Sequence, residues 1–233
     1  MFDAKQLLNQ LLGVPVPGMT GTVKDKAGDL AKVAQANPLA TGAIAAVLLG
    51  TGFGRKLTGD VLKMGGLAAI AGLGYQAYQN YKKGSAPTPL APASSGPVLL
   101  PPPEDSGFSA GSPAQEPAFA LVLVKGMIAA ARADGQIDGA ERAVILDKVR
   151  LSGLGAEAEA FLSDELQKPL DLDQLVAEAR TEEQKVELYT ASRLAITPDT
   201  RAERGYLDQL AGRLGLDDAL VDHIEATVAS VNS

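Results

Sequence analysis

Wherever the apolar positions of this chain show a period, the period is helical, and no run alternates over a strand's length. Phe119, Val122, Leu123, Met127 and Ile128 predict a first helix over about 117–133. Val144, Ile145 and Val149 predict a second, from about Gly139 to Ser152-Gly153. Phe161, Leu162 and Leu166 predict a third over about 156–167, stopped before Pro169. A fourth starts near Leu172, and Thr181-Glu182-Glu183-Gln184 spells a capping box that opens a fifth. The sixth follows Thr200 and the seventh follows Leu216-Asp217. Residues 118–233 are therefore expected to form a compact seven-helix domain, and the whole chain to be all-α.

The N-terminal half has another texture. Residues 1–32 begin with an amphipathic helical segment, Phe2 to Leu12, ended by Gly13 and the Pro15/Pro17 pair. They lack the basic start, long apolar run and small-residue site of a secretory signal, so no cleavage is expected. Residues 33–83 hold two uncharged runs, Val33–Gly54 and Met64–Tyr81, separated by Arg55, Lys56, Asp60 and Lys63. Both are rich in glycine, with Gly50/Gly54 and Ala68/Gly72 four positions apart. In water each such glycine costs a helix about 1 kcal/mol relative to alanine. In lipid, small residues at this spacing let helix backbones approach closely. Tyr75, Tyr78 and Tyr81 share a stripe before Lys82 and Lys83, as interfacial aromatic and basic anchors do. The expectation is a glycine-rich apolar helical hairpin serving as a membrane anchor. The alternative is a helical pair that packs on itself or on a partner in solution. Nine of the 14 prolines fall within residues 84–117, including Pro101-Pro102-Pro103, which predicts a semi-stiff disordered linker.

Composition narrows the chemistry. The chain has no Cys and one His, so thiolate and His-rich metal sites are excluded and any metal must take oxygen ligands. Residues 1–117 carry a net charge of +2 and residues 118–233 carry −9. That acidic half repels phosphate backbones, and aromatic residues make up only 4% of the chain, so no nucleic-acid partner is expected. His223 is expected as a half-exposed residue on the face of the last helix.

The candidate chemistry lies at two helix junctions. In Ala131-Arg132-Ala133-Asp134-Gly135-Gln136-Ile137-Asp138-Gly139-Ala140-Glu141-Arg142, Gly135 reads as the left-handed terminator of the first helix. Asp134 then faces the negative end of that helix dipole, at a cost of a few tenths to about 1 kcal/mol, and needs compensation. Asp138 with Glu141, and Thr200 with Glu203, are each explained as helix caps. Asp134 and Asp199 are not. If the two junctions lie side by side, Asp134, Asp138, Glu141, Asp199 and Glu203 form a cluster of hard oxygen donors suited to calcium, magnesium or manganese. No nucleophile or oxyanion donor accompanies them, so no enzymatic activity is expected.

Residues 131–142, together with Ala191-Ser-Arg-Leu-Ala-Ile-Thr-Pro-Asp-Thr-Arg-Ala-Glu-Arg-Gly-Tyr-Leu207, resemble the tellurite-resistance TerB-like domain over about 118–230. The overall layout is similar to the YebE-type inner-membrane proteins of Gram-negative bacteria, a family of unknown biochemical function. The resemblance implies a seven-helix bundle, an inner-membrane location with the C-terminal domain in the cytoplasm, and a divalent-cation cluster at Asp134, Asp138, Glu141, Asp199 and Glu203. Thr197 stands where such proteins often have an acidic residue, which removes one ligand. The expected function is that of a membrane-associated, non-enzymatic scaffold or cation sensor, stress or envelope related, with the inner membrane and other proteins as partners. The alternative is a soluble interaction module forming a homo-oligomer through its glycine-rich helices.

Overall fold

The computed structural model describes residues 3–11, 66–87, 101–109, 111–133, 135, 142–143, 145–146 and 155–231. Their regular secondary structure is all helical, with no strand among the described residues. In chain order they form α1 (Ala4–Leu11), α2 (Gly66–Lys82), a one-turn 3-10 helix (Pro113–Gln115), α3 (Pro117–Ala131), α4 (Ala156–Gln167), α5 (Leu172–Ala177), α6 (Glu182–Ala195), α7 (Arg201–Leu214) and α8 (Asp218–Val231). The helices expected at about 117–133 and 156–167, and those expected to start near Leu172, at Thr181, after Thr200 and after Asp217, fall where the sequence places them. Most of the second predicted helix lies outside the described residues, although 142–143 and 145–146 are helical and Ile145 is buried.

Several helix ends have a local cause. Pro117 opens α3 at the position where a missing N–H costs nothing. Thr181 with Gln184 and Thr200 with Glu203 form reciprocal capping boxes at α6 and α7. Gly215 closes α7 in the left-handed conformation, φ 68°, while Leu216 N–H reaches back to the Ala211 carbonyl at 3.1 Å. The predicted glycine stop of α3 differs. That helix ends at Ala131 with Arg132 as its cap residue, and Gly135 does not take a positive φ.

At the centre, α3 lies against α6, both helices being buried over most of their length. They meet at Gly126, where an added Cβ would lie 2.6 Å from Leu188 Cδ1 and 3.0 Å from Ser192 Oγ. Tyr206 of α7 closes the crossing by donating to the Gly126 carbonyl at 3.3 Å. Buried Leu7 and Leu8 join α1 to the same core, and Asn9 of α1 accepts from the Gly66 N–H at 2.6 Å, capping the start of α2.

The largest departures from the sequence reading concern α2 and the segment after it. No helix among the described residues is long and apolar enough to cross a membrane. Instead α2 buries Leu67, Ile70, Leu73 and Ala77 and packs chiefly against α8 and α6. Gly74 serves that contact: a Cβ there would stand 3.1 Å from Val186 Cγ1 of α6. The tyrosine stripe is likewise turned inward. Tyr78 donates to Glu182 at 2.9 Å, and Tyr81 donates to Asp217 while its ring stands edge-on to His223. His223 is 3% exposed, so it is a core residue and not a half-exposed one. The first uncharged run, 33–54, lies outside the described residues. Residues 101–116 also depart from a coreless spacer. Phe108 is buried with its ring 5.9 Å from Tyr75 and 5.8 Å from Tyr78, Ala114 is buried, and the Pro113 carbonyl accepts from Gln184 Nε2.

Candidate functional site

Of the five predicted cation ligands, Asp134, Asp138 and Glu141 lie outside the described residues. The other two lie within one loop and the first turn of α7, and they point to different fates. Arg204 folds the loop over by donating to the Pro198 and Asp199 carbonyls at 2.9 and 2.8 Å. Asp199 is exposed. Glu203 is 3% exposed, and its Oε2 accepts from both the backbone N–H and the hydroxyl of Thr200, each at 2.8 Å. A carboxylate oxygen holding two donors inside the fold acts as a helix cap. Thr197 is exposed beside them. Among the described residues there is no group of three or more His, Cys, Asp or Glu side chains able to hold a metal ion.

Arg132, inside the first motif, has a different task from the acids around it. Its guanidinium donates to the Lys168 carbonyl at 2.7 Å, capping the negative end of α4 with a cation. A second polar cluster ties α6 to α8. Glu225 accepts from Arg193 Nε at 2.6 Å and from the Tyr189 hydroxyl at 2.9 Å, and Arg193 also donates to the Ile196 carbonyl. Burial, then the Glu225 charge, pushes the Tyr189 phenol well above its ordinary range. Burial does the same to Tyr206. Both phenols stay neutral at physiological pH, and both are spent on holding helices together.

The surface feature left over is a shallow groove of about 100 Å³ where α3, the end of α4 and α5 meet. Ile128, Ala129 and Leu175 line it, and Leu170 stands on its lip. At 45% exposure, Leu170 is the exposed large hydrophobic side chain among the described residues. Lys125 bridges the groove to Glu178 at 2.9 Å, and Lys168 pairs with Glu165 at 2.6 Å. Sequence periodicity missed this site because Leu170 belongs to no helical face. The available signal was an apolar residue between a helix-ending Pro169 and Asp171, which caps α5 by accepting from the Gln174 N–H at 2.9 Å.

Comparison with known proteins gives the chain a family. The chain matches the family described as "Protein of unknown function (DUF533)" over residues 34–228, most of its length. The chain belongs to the DUF533 family. The matched span takes in α2 together with α3–α7 and most of α8, so the DUF533 unit crosses the boundary that composition suggested near residue 117. A curated relative, the "Uncharacterized protein in ampR 5'region" of Yersinia enterocolitica, is 31% identical over 106 residues, covering 46% of this chain and 76% of that protein. No solved structure matches this DUF533 member.

Proposed function

We propose that this DUF533 protein is a non-enzymatic helical scaffold that works by contacting other protein surfaces. The observation that carries this reading is the groove beside Leu170, an apolar side chain held in solvent by the turn between two capped helices. Glu203 supports it from the other direction, because the buried member of the acidic set is committed to the start of α7. The TerB-like resemblance keeps a cation sensor as the rival. Titrating calcium, magnesium and manganese calorimetrically into the full chain separates the two. The scaffold reading expects no saturable heat. Saturable heat that disappears in Asp134→Asn/Asp138→Asn would replace it with the sensor. A place at the bacterial inner membrane belongs to the same proposal as a peripheral one, since α2, half of the expected hairpin, is packed inside the fold. Alkaline carbonate should therefore release the full chain from membranes, and retention in the pellet would restore an integral anchor.

A further inference from the structure

Residues 101–112 lie on α2 as a strap anchored by one side chain. Of residues 101–109, Phe108 alone is buried, while Pro101, Pro103, Glu104, Asp105 and Gly107 are exposed. The turns of the strap close on themselves. The Ser106, Ser109 and Ser112 N–H groups donate to the Pro103, Ser106 and Ser109 carbonyls at 3.0, 3.0 and 2.9 Å. Among the described residues, the first hydrogen bond to a helix comes just past the strap, where Gln184 Nε2 donates to the Pro113 carbonyl at 3.2 Å.

The hollow that takes the Phe108 ring belongs to the helices. Tyr75 and Tyr78 of α2 wall it, with ring centroids 5.9 and 5.8 Å from that of Phe108. Gly74 leaves room at its floor, since a Cβ there would lie 3.4 Å from Phe108 Cε1 and 3.1 Å from Val186 Cγ1 of α6. Because α2 packs on α6 and α8 directly, withdrawing the ring uncovers an apolar hollow without taking a helix from the bundle. The closed position also carries a cost of its own. Ser112 Oγ is buried with no hydrogen-bond partner, and lifting the strap returns that hydroxyl to water.

We propose that this hollow is a docking site for a partner protein's extended segment carrying a phenylalanine between small residues, closed at rest by the chain's own Phe108. The seated sequence, Gly107-Phe108-Ser109, states the chemistry of that occupant. The proposal rests on the scaffold reading and adds to it the kind of partner and the lock. A tethered ligand holds its site at an effective concentration of up to about millimolar, so a partner docks only by outcompeting the strap.

A fluorescent peptide of residues 101–114, titrated by anisotropy into the full chain, tests this. Phe108→Ala, whose hollow is vacant, should bind it at least ~tenfold more tightly than the wild type does. The same peptide with its own Phe108→Ala should not bind. Circular dichroism will verify that the variant folds, and a second measurement leaves Phe108 in place. The chain has no cysteine, so Ser112→Cys puts a single thiol under the strap. If the strap lifts by itself, the rate of thiol labelling should be nearly flat in urea below the unfolding midpoint. A rate that climbs with the slope of global unfolding shows that the strap leaves only with the core, and overturns the proposal. Peptide binding no tighter in Phe108→Ala than in the wild type overturns it equally. Neither result touches the cation titration, which decides the scaffold reading.

Discussion

At Thr200 and Glu203, two side chains satisfy backbone and hydroxyl groups that the first turn of α7 leaves without helical partners. Removing the hydroxyl with Thr200→Ala should cost about 1 kcal/mol, read as a lower urea midpoint, and millimolar calcium should not restore it. Cation rescue would mean that Glu203 is a ligand after all. The buried phenols make a second prediction, and its sign is fixed by the direction of their shifts. Tyr189 and Tyr206 keep their protons in the fold above the ordinary value of 10.0 at which the unfolded chain releases them. Above that pH the unfolded state binds fewer protons than the native state. Stability present below pH 10 is thus lost as pH rises, by up to about 1.4 kcal/mol per pH unit for each phenol. Tyr206→Phe should be less sensitive than the wild type to a rise from neutral pH to about pH 11. An unchanged pH dependence would show that this phenol ionises freely in the fold. Residues of this kind differ in how legible they are. The Thr200–Glu203 pair is written in four consecutive positions, whereas Tyr206 reaches Gly126 across the fold and leaves no local trace.

Elements show the same division. Helix starts at Pro117, Thr181 and Thr200 follow from nearby residues, and periodicity places the bodies of α3 and α4. What a helix packs against is another matter. An uncharged, glycine-rich run satisfies a bilayer and a helix crossing equally well, because both ask for close approach and no buried charge. In α2 the crossing prevails: Tyr78 and Tyr81 find Glu182 and Asp217, partners that no spacing within α2 could reveal. Gly126 of α3 is similar, since Leu188 and Ser192, which crowd it, come from α6. The assignment of α2 to the core can be measured. Ile70, fully buried, should cost about 2–5 kcal/mol when cut to alanine. Tyr78→Phe, which loses one exposed hydrogen bond, should cost less than about 1.5 kcal/mol. Urea unfolding followed by circular dichroism will rank them, and an Ile70→Ala midpoint equal to wild type would put α2 outside the cooperative unit.

For the molecule as a whole, the charge step near residue 117 is not a boundary of packing. The acidic half contributes α3 to α8, but α2 covers α6 and α8, and Phe108 fills the space beside Tyr75 and Tyr78. Burial of Leu67, Ile70 and Leu73 in α2 is worth about 1.5–3 kcal/mol apiece, or roughly 5–9 kcal/mol together. A whole domain is stable by only about 5–15 kcal/mol, so losing α2 removes a sum comparable with the total. A fragment of residues 115–233, the unit that composition alone would select, lacks α1, α2 and Phe108. It should keep much of its helical circular dichroism, bind a hydrophobic dye through the uncovered faces of α6 and α8, and unfold over a broad urea range. The full chain should unfold in one sharp transition over the described core. If the fragment unfolds as sharply, at the same midpoint and without binding dye, the burial of α2 adds nothing to the C-terminal helices. The glycine-rich helix would then be free to leave them.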